Sequence, residues 1–337
     1  MIDDVAAWGD ARAHVRAMRW LKAAQNRFPV LQAVALVVVL IYGSRTLPGL
    51  TTWPSLKTIL VLAALTGLAS VGQTVVVLLG GIDLSISGLI VASALTISAL
   101  REQYDISFEL ALLLAVVASG LFGVFTGYVC HRYRIQPLII TLAIGTVAVG
   151  IVQAQTGGAV QGSAPEWLGT LTSPATSTFG LDVPPLVVIW VFVALAVNLF
   201  LKRAARGRRL LATGANPQAA EYSLINTRYV WAAAFLFSGV ISALVGVLLG
   251  GFAGAVDGRL GDPYLFQSVI AVIVGGTVFG GPGDYLRTVV GTLFLTVLTT
   301  VLVGHGAEQA DQQIVFGLVI LLAVAAYGRE RRFQDRI

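Results

Sequence analysis

A single acid, Asp83, stands close to the interior of an apolar run in this chain, within the stretch Gly80-Gly81-Ile82-Asp83-Leu84-Ser85-Ile86-Ser87-Gly88. Paired glycines at Gly80 and Gly81 permit a sharp backbone break, after which Asp83 or Ser85 can cap the next helix by accepting its unpaired N–H groups. An acid there also meets the positive end of the helix dipole. Capping accounts for the residue fully. The competing chemistry is that of a gating or substrate-pathway carboxylate, because ionisable groups at membrane depth are functional candidates by default.

The remaining candidates among polar side chains inside apolar runs are Gln73, Thr141, Gln153, Asn198 and Gln267. Their amides and hydroxyl suit a sugar's hydroxyl groups, and they suit helix-to-helix hydrogen bonds equally well. His14, His131 and His305 are scattered through tails and loops, so neither a metal site nor a charge relay is visible. Cys130 is the sole cysteine, which excludes an internal disulfide and a thiolate metal cluster. No nucleophile, base and oxyanion arrangement stands out. ATP hydrolysis would need a glycine-rich loop ending in Lys and Ser or Thr. The only lysines, Lys22, Lys57 and Lys202, are in no such loop. Energy for any transport must come from another polypeptide or an ion gradient.

The elements that hold these residues are set by composition. Of 337 residues, 56% are hydrophobic and only 12% charged, too few charges to coat a soluble domain, and the mean hydropathy is +0.84. Apolar runs bounded by Gly, Pro or charge lie at 30–49, 57–79, 84–100, 109–129, 137–155, 185–201, 230–250, 264–280, 286–304 and 313–327, the third and eighth of them short or glycine-broken. The expectation is an all-α integral membrane protein of ten transmembrane helices, some broken by glycine. Residues 1–28 lack the apolar core of a secretory signal and read as an uncleaved tail; 29–328 form the membrane domain, and 329–337 a second tail.

Charge placement orients the chain. With the N-terminus inside, only Arg45, Lys57, Arg101 and Arg259 of the 22 basic residues fall outside. Both termini and the loop 202–229 are then cytoplasmic. The net charge of +5 follows this topology rather than a nucleic-acid surface, since no basic, aromatic-laced soluble domain exists to bind one.

Two further stretches are informative. In the loop, Asn216 suits an N-cap and Pro217 a first helical position, with Ala219, Ala220 and Glu221 continuing a short helix. Later, Gly275, Gly276, Gly280 and Gly281, followed by Pro282 and Gly283, rule out a regular helix and echo the break at Gly80-Gly81. Broken segments at corresponding places in two halves point to a transport pathway; close helix packing explains the glycines as well.

The 80–88 stretch resembles the signature of permease subunits of carbohydrate ABC importers, the family of the bacterial ribose, xylose, arabinose and galactose permeases. The resemblance extends through Arg134-Ile135-Gln136-Pro137-Leu138-Ile139-Ile140-Thr141-Leu142, the loop 207–226 and the glycine-rich 274–284 segment, and covers roughly residues 56–327. Ala215 and Leu224 depart from it, standing where such permeases usually carry glycine. What it implies is a permease subunit in the bacterial inner membrane, homodimeric or paired with a homologue. A cytoplasmic ATPase would bind ATP and magnesium, this chain holding no cofactor, and an extracytoplasmic binding protein would deliver a sugar or polyol. Residues Gly214, Asn216, Pro217, Ala219, Ala220 and Glu221 would form the coupling helix against the ATPase. An ion-coupled secondary transporter is the alternative; it needs carboxylates near the bilayer midplane, and Asp83 alone qualifies.

Overall fold

The computed structural model describes residues 29–156 and 164–327. The two tails, 1–28 and 329–337, expected to be cytoplasmic, lie outside these. Thirteen helices follow in order among the described residues: α1 Val30–Thr46, α2 Trp53–Leu79, α3 Ser85–Tyr104, α4 Phe108–Tyr133, α5 Pro137–Thr156, α6 Glu166–Thr172, α7 Pro185–Arg203, α8 Ala205–Ala215, α9 Pro217–Tyr222, α10 Thr227–Ala253, α11 Asp262–Val274, α12 Tyr285–Gly304 and α13 Gln309–Tyr327. Seven of them, α2, α3, α4, α5, α7, α10 and α12, are long and apolar enough to cross a membrane, and α1, α11 and α13 are shorter apolar helices. The only strand-like pairing among the described residues is an isolated bridge between Thr178 and Leu181.

Each apolar run of the sequence yields a helix, but two differ from expectation. The third runs unbroken from Ser85 to Tyr104, straight through Gly88. The eighth, expected over 264–280, stops at Val274, because Gly276 and Gly280 take φ of 87° and 56° and no helix continues through such angles. Thirteen residues rise only about 20 Å, short of a ~30 Å hydrocarbon core.

The bundle is built around α2, on which α7, α10, α11 and α12 all pack. Its length from Ala63 to Leu79 is buried without interruption. Polar groups staple it in place: Tyr285 donates its hydroxyl to the Gly67 carbonyl at 2.6 Å and receives the Trp190 indole N–H at 3.0 Å, and the Thr74 and Thr288 hydroxyls meet at 3.0 Å. On the other side α4 and α10 run together so closely that a Cβ on Gly123, Gly127 or Gly239 would strike the backbone of the partner helix. Without a hydrophobic force between helices in lipid, such small-residue seams supply the contact. Cys130 is buried on α4 as a small packing residue.

Candidate functional site

Three glycine-bearing segments, far apart in sequence, close on one another at one end of the bundle. α2 ends at Gly80, whose φ of 96° only glycine adopts without cost. The chain then turns through Gly81, placed against Pro137, where a Cβ would sit 3.2 Å from the proline Cγ. The second break arrives from α11: the Gly280 N–H donates to the Val77 carbonyl at 2.9 Å, and a Cβ on Gly280 would lie 2.7 Å from the Gly214 carbonyl oxygen. Gly214 itself, near the end of α8, leaves no room for a side chain against the Leu78 carbonyl.

Asp83 lies inside this junction, 1% exposed. One carboxylate oxygen accepts the Ser85 backbone N–H at 2.9 Å and also the Ser85 hydroxyl; the other accepts the Ser238 hydroxyl of α10 at 2.6 Å. The capping expectation needs adjusting in detail. The residue at the cap position of α3 is Leu84, which caps nothing, and Ser85 donates to Asp83 instead of capping. Asp83 does satisfy one first-turn N–H, while Thr141 satisfies the preceding one, its hydroxyl oxygen accepting the Leu84 N–H at 3.0 Å. The break is thereby pinned to α5 and α10 together.

The loop between α7 and α10 holds two helices where sequence suggested one. Asn216 caps α9 as expected, accepting the Ala219 N–H at 3.0 Å, with Pro217 in the first turn. Glu221 accepts the Thr227 hydroxyl at 2.7 Å, and the Thr227 oxygen meets His131 Nε2 at 2.8 Å, so α9 is tied to the starts or ends of α10 and α4. Arg228 lies 4.5 Å from the Tyr128 ring centroid, a cation–π contact that reinforces this tie. Lys202, at the end of α7, pairs with Asp284 at 3.0 Å, and Asp284 caps α12 through the Arg287 N–H at 3.0 Å. Leu224 takes φ of +60°, the conformation glycine favours. Ala215 ends α8 exposed to solvent, where a methyl group meets no obstacle.

The remaining candidates do not join this cluster. Gln73 is completely buried on α2 with both amide atoms unpartnered, and Asn198 has a buried unpartnered oxygen on α7. Gln267 is half-buried on α11, and Gln153 is exposed on α5, some 18 Å along the helix from Thr141. Sequence reasoning passed over Ser238, because a lone serine in an apolar helix ordinarily bonds its own preceding turn. It also passed over Tyr285, Thr227 and the Lys202–Asp284 pair, whose partners only the fold brings near.

Among the described residues, then, a helical bundle has its two chain breaks meeting α8, which leads into the capped helix α9. Residues 55–324 match the family described as branched-chain amino acid transport system / permease component. The chain belongs to that family. Among curated relatives, it is 28% identical to the galactofuranose transporter permease protein of Escherichia coli K12 over 86% of each chain. It is 30% identical to the ribose import permease protein of Bacillus subtilis 168 over 77% of this chain and 80% of that one. It is 28% identical to the fructose import permease protein of Rhizobium meliloti over 78% of this chain and 74% of that one. No solved structure matches the chain significantly.

Proposed function

We propose that this chain is the membrane-spanning permease of an ATP-driven importer of a monosaccharide or related polyol. The carrying observation is the junction: α8 leads into the capped helix α9 and is seated through Gly214 on the Leu78 carbonyl and Gly280, so force applied to that loop reaches both helix breaks directly. A cytoplasmic ATPase binding ATP and magnesium would push there. The sugar would arrive from an extracytoplasmic binding protein and cross between two permeases, this chain and a second copy or homologue, in the inner membrane. The basic residues support this orientation, since Arg206, Arg208 and Arg209 lie within α8 and Lys202, Arg203 and Arg228 flank the α8–α9 segment.

The sugar is favoured over a branched-chain amino acid by the relatives, whose names specify galactofuranose, ribose and fructose. Proteoliposomes carrying this chain with its partner ATPase and binding protein should accumulate a labelled monosaccharide when ATP is supplied to the ATPase side. Accumulation of leucine and no sugar would overturn the substrate class. Uptake driven by an ion gradient and indifferent to ATP would overturn the importer and promote a secondary transporter.

A further inference from the structure

The chain between α10 and α11 turns back into the bundle. α10 and α3 run side by side, Ser238 bonding Asp83 and Gly246 lying against the Ile90 carbonyl, so Ala253 at the end of α10 stands about 10 Å beyond Ile90. From there residues 254–261 return along α3. Val256 and Leu260 pack in one cluster with Val91, Ala94 and Leu95, Gly258 approaches the Gln153 amide of α5, and Gly261 closes on the Ser87 carbonyl. Tyr264, buried with Ile86 and Ile90, holds the start of α11 there. Ser87 is about 20 Å along α3 from Arg101, the first charged residue of that helix, a distance greater than half of a ~30 Å hydrocarbon core.

This irregular backbone carries exposed charge. Asp257, Arg259 and Asp262 are all exposed. The Asp257 carboxylate accepts the Arg259 backbone N–H at 2.7 Å, and among the described residues no ion pair or hydrogen bond holds the Arg259 guanidinium or the Asp262 carboxylate. One helical turn on from Asp262, the Phe266 ring is half exposed. Arg259, expected outside the membrane, is thus carried inward to the start of α3.

Hydrocarbon is no neighbour for these groups. Non-helical backbone is tolerated at membrane depth only where protein or water covers it, and ionisable side chains there face a bundle interior or an aqueous cavity. A second copy laid dry on the same segment would set four carboxylates against two guanidiniums, out of water and uncompensated. We infer that Arg259, Asp262 and Phe266 line the water-filled passage through which the solute crosses, and are its contacts for a neutral polyhydroxylated molecule of monosaccharide size. The Asp262 carboxylate accepts hydroxyl protons, the Arg259 guanidinium donates to hydroxyl oxygens, and the Phe266 ring offers its negative face to the C–H side of a sugar ring. From this contact α11 runs to Val274, and the chain beyond it seats Gly280 on Val77 and Gly214, so one short helix joins the passage to the junction. This deepens the importer reading and rests on it.

The test uses the assembled transporter in a Cys130→Ala background, with single cysteines at Arg259 and, as a control, at the exposed Phe192 in the middle of α7. A charged methanethiosulfonate attacks the thiolate, which forms in water and not in hydrocarbon, so Arg259→Cys should react about tenfold faster than Phe192→Cys. Equally slow reaction of both overturns the passage. Spontaneous disulfide pairing of Arg259→Cys between two copies overturns it as well, by assigning the segment to a sealed contact between permeases. Uptake at matched membrane abundance tests the solute contact: Asp262→Leu should lower it about tenfold, while Asp262→Asn, which keeps an oxygen acceptor for hydroxyls, stays near wild type. Undiminished uptake in Asp262→Leu overturns the contact, and so does asparagine as damaging as leucine, which would make the charge a coupling group. ATP-driven uptake with an unreactive position 259 sinks only the passage, whereas a reactive position 259 with uptake indifferent to ATP keeps the passage and sinks the importer reading.

Discussion

Ser238 on α10 donates its hydroxyl to Asp83 at 2.6 Å, across 155 positions of sequence, and so ties the chain break after α2 to a helix whose other face packs on α4. Every hydrogen bond shown to Asp83 is one the carboxylate accepts. An amide oxygen can accept from Ser85, and the Ser238 hydroxyl can rotate to accept from the amide nitrogen. Asp83→Asn should therefore retain most transport, and Asp83→Ala should lose stability by about 1 kcal/mol for the cap plus roughly 1–3 kcal/mol for a stranded Ser238. Uptake at matched membrane abundance, with thermal unfolding in detergent, separates the two. Equal damage in both variants would make the charge itself essential.

Gly80 and Gly214 call for different failures when given a methyl group. At Gly80 there is room, the nearest atom to a new Cβ being 3.7 Å away, but φ is 96°; Gly80→Ala should cost about 1–2 kcal/mol of backbone strain. At Gly214, inside α8, the backbone is ordinary and the Leu78 carbonyl blocks the methyl group. Gly214→Ala should cost up to about 3 kcal/mol and force α8 off α2, lowering uptake more than ATP hydrolysis. Equal ratios of uptake to hydrolysis in both variants would refute the assignment of force transfer to this contact.

The parts of this junction that were legible in sequence are the local ones. Asn216-Pro217 spells a helix start within two residues, and Gly80-Gly81 or Gly275-Gly276 spells a break, because caps and left-handed turns depend on the residues beside them. The meeting of Gly80, Gly280 and Gly214 was not legible, since nothing in a glycine says which distant backbone it will touch. Ser238 was hidden for the same reason. The expected α11 is longer than the observed one because Val278 and Phe279 continue the hydropathy of the run while Gly276 ends its helix.

Leu224 occupies the left-handed position after α9 and is almost fully exposed. Leu224→Gly should relieve about 1 kcal/mol of strain and raise the unfolding temperature slightly. A lower unfolding temperature would mean that the leucine side chain packs on something in the assembled protein.

Asp182 outside the spans is held below the usual carboxylate range by hydrogen bonds from Lys57 first and Trp53 second. A depressed folded-state pKa means that the clamp is intact above the ordinary carboxylate value near 4 and is lost as pH falls through the lower folded value. Protease cleavage of the loop at Ser177 to Leu181 should therefore stay slow at neutral pH and quicken below about pH 4. In Asp182→Asn, cleavage should be quick at neutral pH as well. A loop equally resistant in both proteins at pH 7 would show that Asp182 does not hold the turn.

Orientation and coupling can be tested on one set of proteins. Single cysteines belong at the exposed Ser177 and Gln218, in a Cys130→Ala background. Ser177→Cys should react with an impermeant thiol reagent from outside intact cells and Gln218→Cys only after the membrane is opened. In the same cells, Asn216→Leu combined with Glu221→Arg removes the cap of α9 and its bond to Thr227. That protein should insert normally, keep the Ser177 labelling pattern, and lose both sugar uptake and co-purification of the ATPase. Labelling of Gln218→Cys from outside would invert the topology. Retained uptake and co-purification in the double variant would remove α9 from the coupling path and leave the α8 contact at Gly214 and the Lys202–Asp284 pair as the links between the loop and the helix breaks.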